Sequence, residues 1–201
     1  MFRAVGNRCA VDLASLHLPC SDEDALKRLV SVGFKVIKVD LVGLARPLVG
    51  VARYRRGARV AEAPHVFDCS SLIKWLYAQR GVWLPRRTIQ QIEMGCKIEP
   101  RDADAGDVIF TTGRINYYLD DPAKGVGHAG IMTGQGTVIH AANSQLGITE
   151  CPVKNFLRQK EFRGIRRFLP NDRKIITFIA PPQRDVEWSD DFRWILLQRS
   201  I

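Results

Sequence analysis

Val66-Phe67-Asp68-Cys69-Ser70-Ser71-Leu72-Ile73-Lys74-Trp75-Leu76-Tyr77 reads as a strand running into a helix. Leu72, Leu76 and either Ile73 or Tyr77 recur at helical spacing and supply a buried stripe. Asp68 is placed as the N-cap, where a carboxylate accepts from the free amides of the first turn. Cys69 then falls at the first helical position, where unpaired N–H groups and the helix dipole favour negative charge. Thiolate is the reactive form of cysteine, so this position suits a nucleophile.

Downstream, His128-Ala129-Gly130-Ile131-Met132-Thr133 and Thr137-Val138-Ile139-His140-Ala141 read as two strands joined by Gly134-Gln135-Gly136. If Thr133 pairs with Thr137, antiparallel pairing sets His140 opposite Gly130. Side chains alternate between faces with period two, so His128 and His140 share a face as diagonal neighbours. Gly130 leaves open the space facing His140. A loop of even length would turn one imidazole to the other face. The order of a cysteine at a helix start followed by two imidazoles on one hairpin suits nucleophilic acyl transfer. Cys69 attacks a carbonyl, His128 takes the thiol proton, and His140 orients His128, with the first amides of the Cys69 helix as oxyanion donors. The histidine spacing is not that of a metalloenzyme. A metal reading needs a third ligand, with Asp107 the nearest, and no metal or cofactor is expected.

Outward from this core, Ser21-Asp22-Glu23-Asp24 opens a helix with Ser21 as N-cap and Gly33 as its stop. Val36 to Arg53 is apolar and reads as a helix kinked near Pro47. Pro85 to Met94 predicts a short helix closed by Gly95. Gly106-Asp107-Val108-Ile109-Phe110 predicts a turn and a strand, and Gly147–Cys151 and Phe162–Phe168 predict two more. Gly113 to Gly127 is a long polar loop, a candidate lid or substrate wall beside the histidines. The pattern breaks at Pro170-Asn171-Asp172. Helices first and an antiparallel sheet after them make an α+β layout. The expected organisation is an N-terminal extension with one helix (1–34), a catalytic domain (35–170), and an aromatic tail (171–201) in which Trp188, Phe192 and Trp194 dock on the chain's own surface.

Thirty basic residues against 21 acidic ones give a formal net charge of +9, which favours anionic partners. No nucleic-acid motif accompanies that charge. Five cysteines without a Cys-x-x-Cys argue against a structural zinc site or a full disulfide framework, although Cys9 could pair with Cys20 in an exported protein. Asp12 and His17 break the only candidate leader stretch, so no signal peptide and no membrane span are predicted. The expected compartment is the cytoplasm, or the outside by a non-classical or phage-associated route.

With these residues in place the chain resembles the NlpC-type cysteine peptidases, papain-like endopeptidases of bacterial cell-wall peptides. The likeness rests on Phe67-Asp68-Cys69-Ser70-Ser71-Leu72, Leu84-Pro85-Arg86-Arg87-Thr88, Gly106-Asp107-Val108-Ile109-Phe110, Gly127-His128-Ala129-Gly130-Ile131 and Val138-Ile139-His140-Ala141. It implies N-terminal helices packed on a central antiparallel sheet and a Cys69-His128-His140 triad. It implies Tyr54 as an oxyanion or substrate contact, and Asp68 and Ser70 as contacts for a substrate amine or supports of the helix start. The implied partners are peptidoglycan stem peptides or muropeptides, cut after γ-D-glutamate. The chain departs from the family at Ser71, where glycine is usual, and at Arg55-Arg56-Gly57, where a glycine pair is usual. Two other readings are an acyltransferase or amidase of the same superfamily, against which the cysteine-first order argues, and an idle module binding anionic polymer.

Overall fold

A computed structural model describes residues 1–170 and 174–198. Its elements run β1 (Arg8–Asp12), α1 (Asp22–Ser31), β2 (Lys35–Ile37), α2 (Leu41–Ala45), β3 (Arg53–Tyr54), β4 (Val66–Phe67), α3 (Cys69–Gln79), α4 (Thr88–Gln91), β5 (Cys96–Ile98), β6 (Val108–Thr111), β7 (His128–Met132), β8 (Thr137–Asn143), β9 (Gly147–Pro152), β10 (Phe162–Arg167), β11 (Ile175–Ile179) and α5 (Asp191–Leu197), with 3-10 turns between. The fold is α+β, as the sequence predicts. Two compact units form, one from Met1–Val39, Tyr77–Trp83 and Asn171–Ile201, the other from Asp40–Leu76 and Leu84–Pro170.

In the first unit β1, β11 and β2 make an antiparallel sheet in the order β1-β11-β2. Its core gathers Cys9, Val11, Leu29, Phe34, Phe178 and Phe192. Ser21 caps α1, its hydroxyl accepting from Asp24 N at 3.1 Å, and Gly33 follows in the left-handed region at φ 99°. The segment after residue 170 carries both β11 and α5. Phe192 and Leu196 are buried, whereas Trp188 and Trp194 keep 42% and 58% of their surface exposed. Trp188, ahead of that helix, pairs with Arg3 through the backbone and lies under its guanidinium at 6.0 Å. Asn171 and Asp172 of the predicted break lie outside the described residues.

Val36 to Arg53 is not one kinked helix. Lys35–Ile37 pairs with β11, and Asp40 starts a new helix by accepting from Val42 N and Gly43 N at 3.0 and 2.9 Å. Pro47 enters a 3-10 turn that ends the segment. A β-branched pair with a partner strand and a strong cap outweigh the apolar run.

The second unit is built on a six-stranded antiparallel sheet, β5-β10-β6-β7-β8-β9. β6 is buried along its whole length, and Ile109, Met132, Val138, Phe156 and Ile165 form a core cluster. The predicted 85–94 helix is shorter, at Thr88–Gln91. β3 and β4 pair in parallel, setting Tyr54 beside Phe67, two residues before Cys69. Among the described residues no helix is long and apolar enough to cross a membrane.

Candidate active site

The helix carrying Cys69 is held at its start by an unusually dense set of bonds. Asp68 Oδ1 accepts from Ser71 N at 2.8 Å, and Asp68 N donates back to Ser71 Oγ at 2.9 Å. This reciprocal pair is a capping box with Ser71 as its third-position side chain. It gives a local reason for serine where the family usually has glycine. Arg86 grips the same carboxylate with both guanidinium nitrogens, Nη1 to Oδ1 at 3.0 Å and Nη2 to Oδ2 at 2.5 Å, and also donates to Ser70 Oγ at 2.8 Å. Gly57 N donates to Asp68 Oδ2 at 2.9 Å. Burial alone would raise the Asp68 pKa, but the bonds from Arg86 and Ser71 outweigh it and hold the carboxyl below its ordinary value. Asp68 and Ser70 are both buried, with their polar atoms engaged on the supporting side of the helix.

Cys69 projects from the first turn of α3 toward the beginning of β7. Its Sγ lies 3.8 Å from Gly127 O, and the Ala129 amide also hydrogen-bonds it. The sulfur therefore rests against the backbone on both sides of His128. The hairpin has the predicted register. Thr133 N donates to Thr137 O at 3.0 Å, and Ile131 faces Ile139. His128 Nε2 and His140 Nδ1 are 2.7 Å apart. With Nε2 engaged by His140, Nδ1 is the remaining ring nitrogen of His128. A Cβ on Gly130 would collide with Val138 Cγ1 and lie 3.1 Å from His140 Cβ, so the glycine is what lets the second imidazole sit down on the sheet. Phe156 stacks on His128 at 5.7 Å and meets His140 edge-on at 5.0 Å, fixing both ring planes.

Burial and the nearby Asp68 carboxylate push the Cys69 thiol up to about 11, against the opposing pull of the Ala129 and Ser70 amides and Arg86. Burial and the neighbouring His140 push His128 down to about 3, and burial takes His140 to about 4. The helix start favours thiolate as the sequence suggests, but desolvation wins, and the resting site is a neutral thiol beside two neutral imidazoles. Tyr54 is raised by its own burial, then by Cys69 and Asp68, while Arg56 and Arg114 oppose the shift. The phenol thus stays a hydroxyl donor at neutral pH beside the sulfur.

The structure brings Cys69, His128, His140 and Tyr54 together, with Asp68 and Ser70 behind them. The Asp107 carboxylate is held by Arg167, which donates to its two oxygens at 2.8 and 2.7 Å. The 113–127 loop ends directly at His128. Arg87 ties it down by donating to Tyr117 Oη at 2.9 Å, and Arg163 by donating to Gly125 O at 3.0 Å. Sequence reasoning missed Arg86 as the partner of Asp68 and missed Phe156. Arg86 stands in a quoted motif, whereas nothing local marks Phe156.

A family model described as the NlpC/P60 family matches residues 51–167. A probable endopeptidase of Corynebacterium glutamicum is 36% identical over 106 residues, covering 51% of this chain and 46% of its own. A γ-DL-glutamyl hydrolase of Bacillus subtilis is 31% identical over 144 residues, covering 69% of this chain and 32% of its own. The chain thus spans less than half the length of these curated relatives. The crystal structure of an NlpC/P60 family protein from Bacillus cereus superposes with a TM-score of 0.54 at 25% identity, covering 65% of this chain and 40% of that one.

Proposed function

The chain belongs to the NlpC/P60 family, and on that premise we propose that it is a cysteine peptidase that cuts peptidoglycan stem peptides after γ-D-glutamate. The observation that carries the reading is the 2.7 Å contact between His128 Nε2 and His140 Nδ1, with Cys69 Sγ seated against the backbone of Gly127 and Ala129. The γ-DL-glutamyl hydrolase named among the relatives supports the choice of bond. The catalytic stretch is 35–170, with 1–34 and 171–201 flanking it.

Because the resting thiol is protonated, attack and proton transfer go together. Sγ bonds to the scissile carbonyl carbon as its proton passes to His128 Nδ1, a general-base step worth about 10²–10⁴-fold. The carbonyl oxygen becomes an oxyanion facing the first amides of α3 and the Tyr54 hydroxyl. Collapse breaks the C–N bond. His128 returns the proton to the leaving amine, and a thioester remains on Cys69. Water then attacks the thioester, giving one proton to His128 and releasing the γ-glutamyl acid. The same proton returns to Sγ. His140 accepts from His128 Nε2–H throughout and stabilises the transient imidazolium.

The direct test is incubation under reducing conditions with L-Ala-γ-D-Glu-diaminopimelate, with products read by mass spectrometry beside Cys69→Ala. Release of L-Ala-γ-D-Glu by the wild type alone is expected. An uncut peptide with Cys69 rapidly alkylated by iodoacetamide would overturn the substrate and leave the thiol chemistry standing.

A further inference from the structure

Three neighbouring strands each place one side chain in a single line: His128 on β7, His140 on β8 and Cys151 on β9. Cys151 is paired opposite Val138, so it is the diagonal neighbour of His140 on the same face. Cys151 Sγ lies 3.5 Å from His140 Nε2, and His140 Nδ1 lies 2.7 Å from His128 Nε2. Both nitrogens of His140 are therefore engaged, one by the catalytic imidazole and one by a thiol. We infer that Cys151 is a positioning residue that holds His140 in its Nε2–H tautomer, an inference that rests on Cys69 as nucleophile and His128 as base.

The direction of the relay follows from counting protons. The Cys69 proton must arrive at His128 Nδ1. Before it arrives, neutral His128 carries its own proton on Nε2, and afterwards it carries both. In either state Nε2–H points at His140 Nδ1, which must be a bare acceptor. His140 then keeps its single proton on Nε2, where it meets the Cys151 sulfur, a weak acceptor. If the Cys151 S–H turned toward Nε2 instead, His140 would carry its proton on Nδ1. His128 would be forced to keep its proton on Nδ1, facing Cys69, and would have no lone pair for the thiol. Asn155 hydrogen-bonds the same sulfur through its side chain, while burial keeps Cys151 a thiol. Phe156 clamps the ring planes but leaves the tautomer free, so the two residues do different work on one pair of imidazoles.

The test uses the full chain labelled with ¹⁵N-histidine and the variants Cys151→Ser and Cys151→Ala. Nitrogen spectra of the wild type and Cys151→Ser are expected to show His140 protonated on Nε2 and bare on Nδ1, with Cys151→Ala showing a tautomer mixture. On the stem peptide, kcat falls about tenfold in Cys151→Ala, the worth of one neutral hydrogen bond, while KM holds. Serine restores kcat to within a few-fold. The pH profile of Cys69 alkylation by iodoacetamide, read by peptide mass spectrometry, follows the same order and needs no substrate. Matching spectra and alkylation without peptide cleavage would uphold the role of Cys151 while the proposed substrate fails. A wild-type spectrum with the His140 proton on Nδ1 would overturn the inference. So would Cys151→Ala with unchanged spectra and an unchanged alkylation profile.

Discussion

Gly130→Ala tests the seating of the second imidazole with one methyl group. The backbone at 130 is ordinary strand, so alanine adds volume and no dihedral strain. That volume falls on Val138 Cγ1 and within 3.1 Å of His140 Cβ. Val138 is fully buried, so its side chain has no open space to swing into, and β7 and β8 must separate locally. Overpacking of this kind costs about 1–3 kcal/mol. His140 moves with its strand, and a misplacement of about 1 Å in catalytic geometry costs about 10²-fold in rate. The assay is kcat on the stem peptide beside the thermal midpoint, with Gly136→Ala as control. Gly136 has φ 75° and nothing within 4 Å of an added Cβ, so its alanine pays about 1–2 kcal/mol of backbone strain without touching His140. The expected result is a lower midpoint for both variants and a loss of kcat only for Gly130→Ala. A Gly130→Ala protein with wild-type kcat would refute the reasoning, whatever its midpoint.

Three further outcomes follow from the charges. His128, at about 3 when folded against 6.5 for a solvated imidazole, binds fewer protons folded than unfolded across that window. Stability therefore falls as pH drops below about 6.5, by about 2 kcal/mol from His128 at pH 5, and urea midpoints of the wild type and His128→Gln should diverge accordingly. Arg86→Leu leaves the Asp68 carboxylate with the Gly57 and Ser71 amides and the Ser70 hydroxyl as its donors. It costs about 3 kcal/mol near neutrality, because removing one member of a buried ion pair strands the other charge. Since the lowered Asp68 pKa contributes stability only above its unfolded value, that difference shrinks as pH falls below about 4, which denaturation at two pH values checks. Tyr54→Phe removes a hydroxyl donor beside the sulfur, and a loss of about 10²-fold in kcat with KM nearly unchanged is expected from steady-state kinetics.

Much of the site was legible because it depends on parity and local caps. The odd three-residue loop at Gly134-Gln135-Gly136 decides the face of both histidines, and a glycine opposite His140 marks the space it needs. Asp68 and Ser21 announce helix starts through their own side chains. The rest depends on partners far away in sequence. Arg86 meets Asp68 across 18 residues, Cys151 reaches His140 only once β9 is in register, and Phe156 arrives from the turn beyond it. Ile175–Ile179 is a short apolar run that becomes a strand because β1 and β2 flank it on both sides. The raised thiol of Cys69 could not be read from a helix start, since burial, which reverses the sign, is a property of the folded chain.

On the proposed mechanism Cys69 carries the acyl group and His128 is its base. An acid quench of the wild type during turnover of L-Ala-γ-D-Glu-diaminopimelate, followed by intact-mass and peptide mass spectrometry, traps that acyl-enzyme. A hydroxylamine-labile L-Ala-γ-D-Glu adduct on Cys69, absent from Cys69→Ala and failing to accumulate in His128→Gln, is the predicted result. Turnover that persists in Cys69→Ala, or an adduct on Cys151 instead, would contradict it.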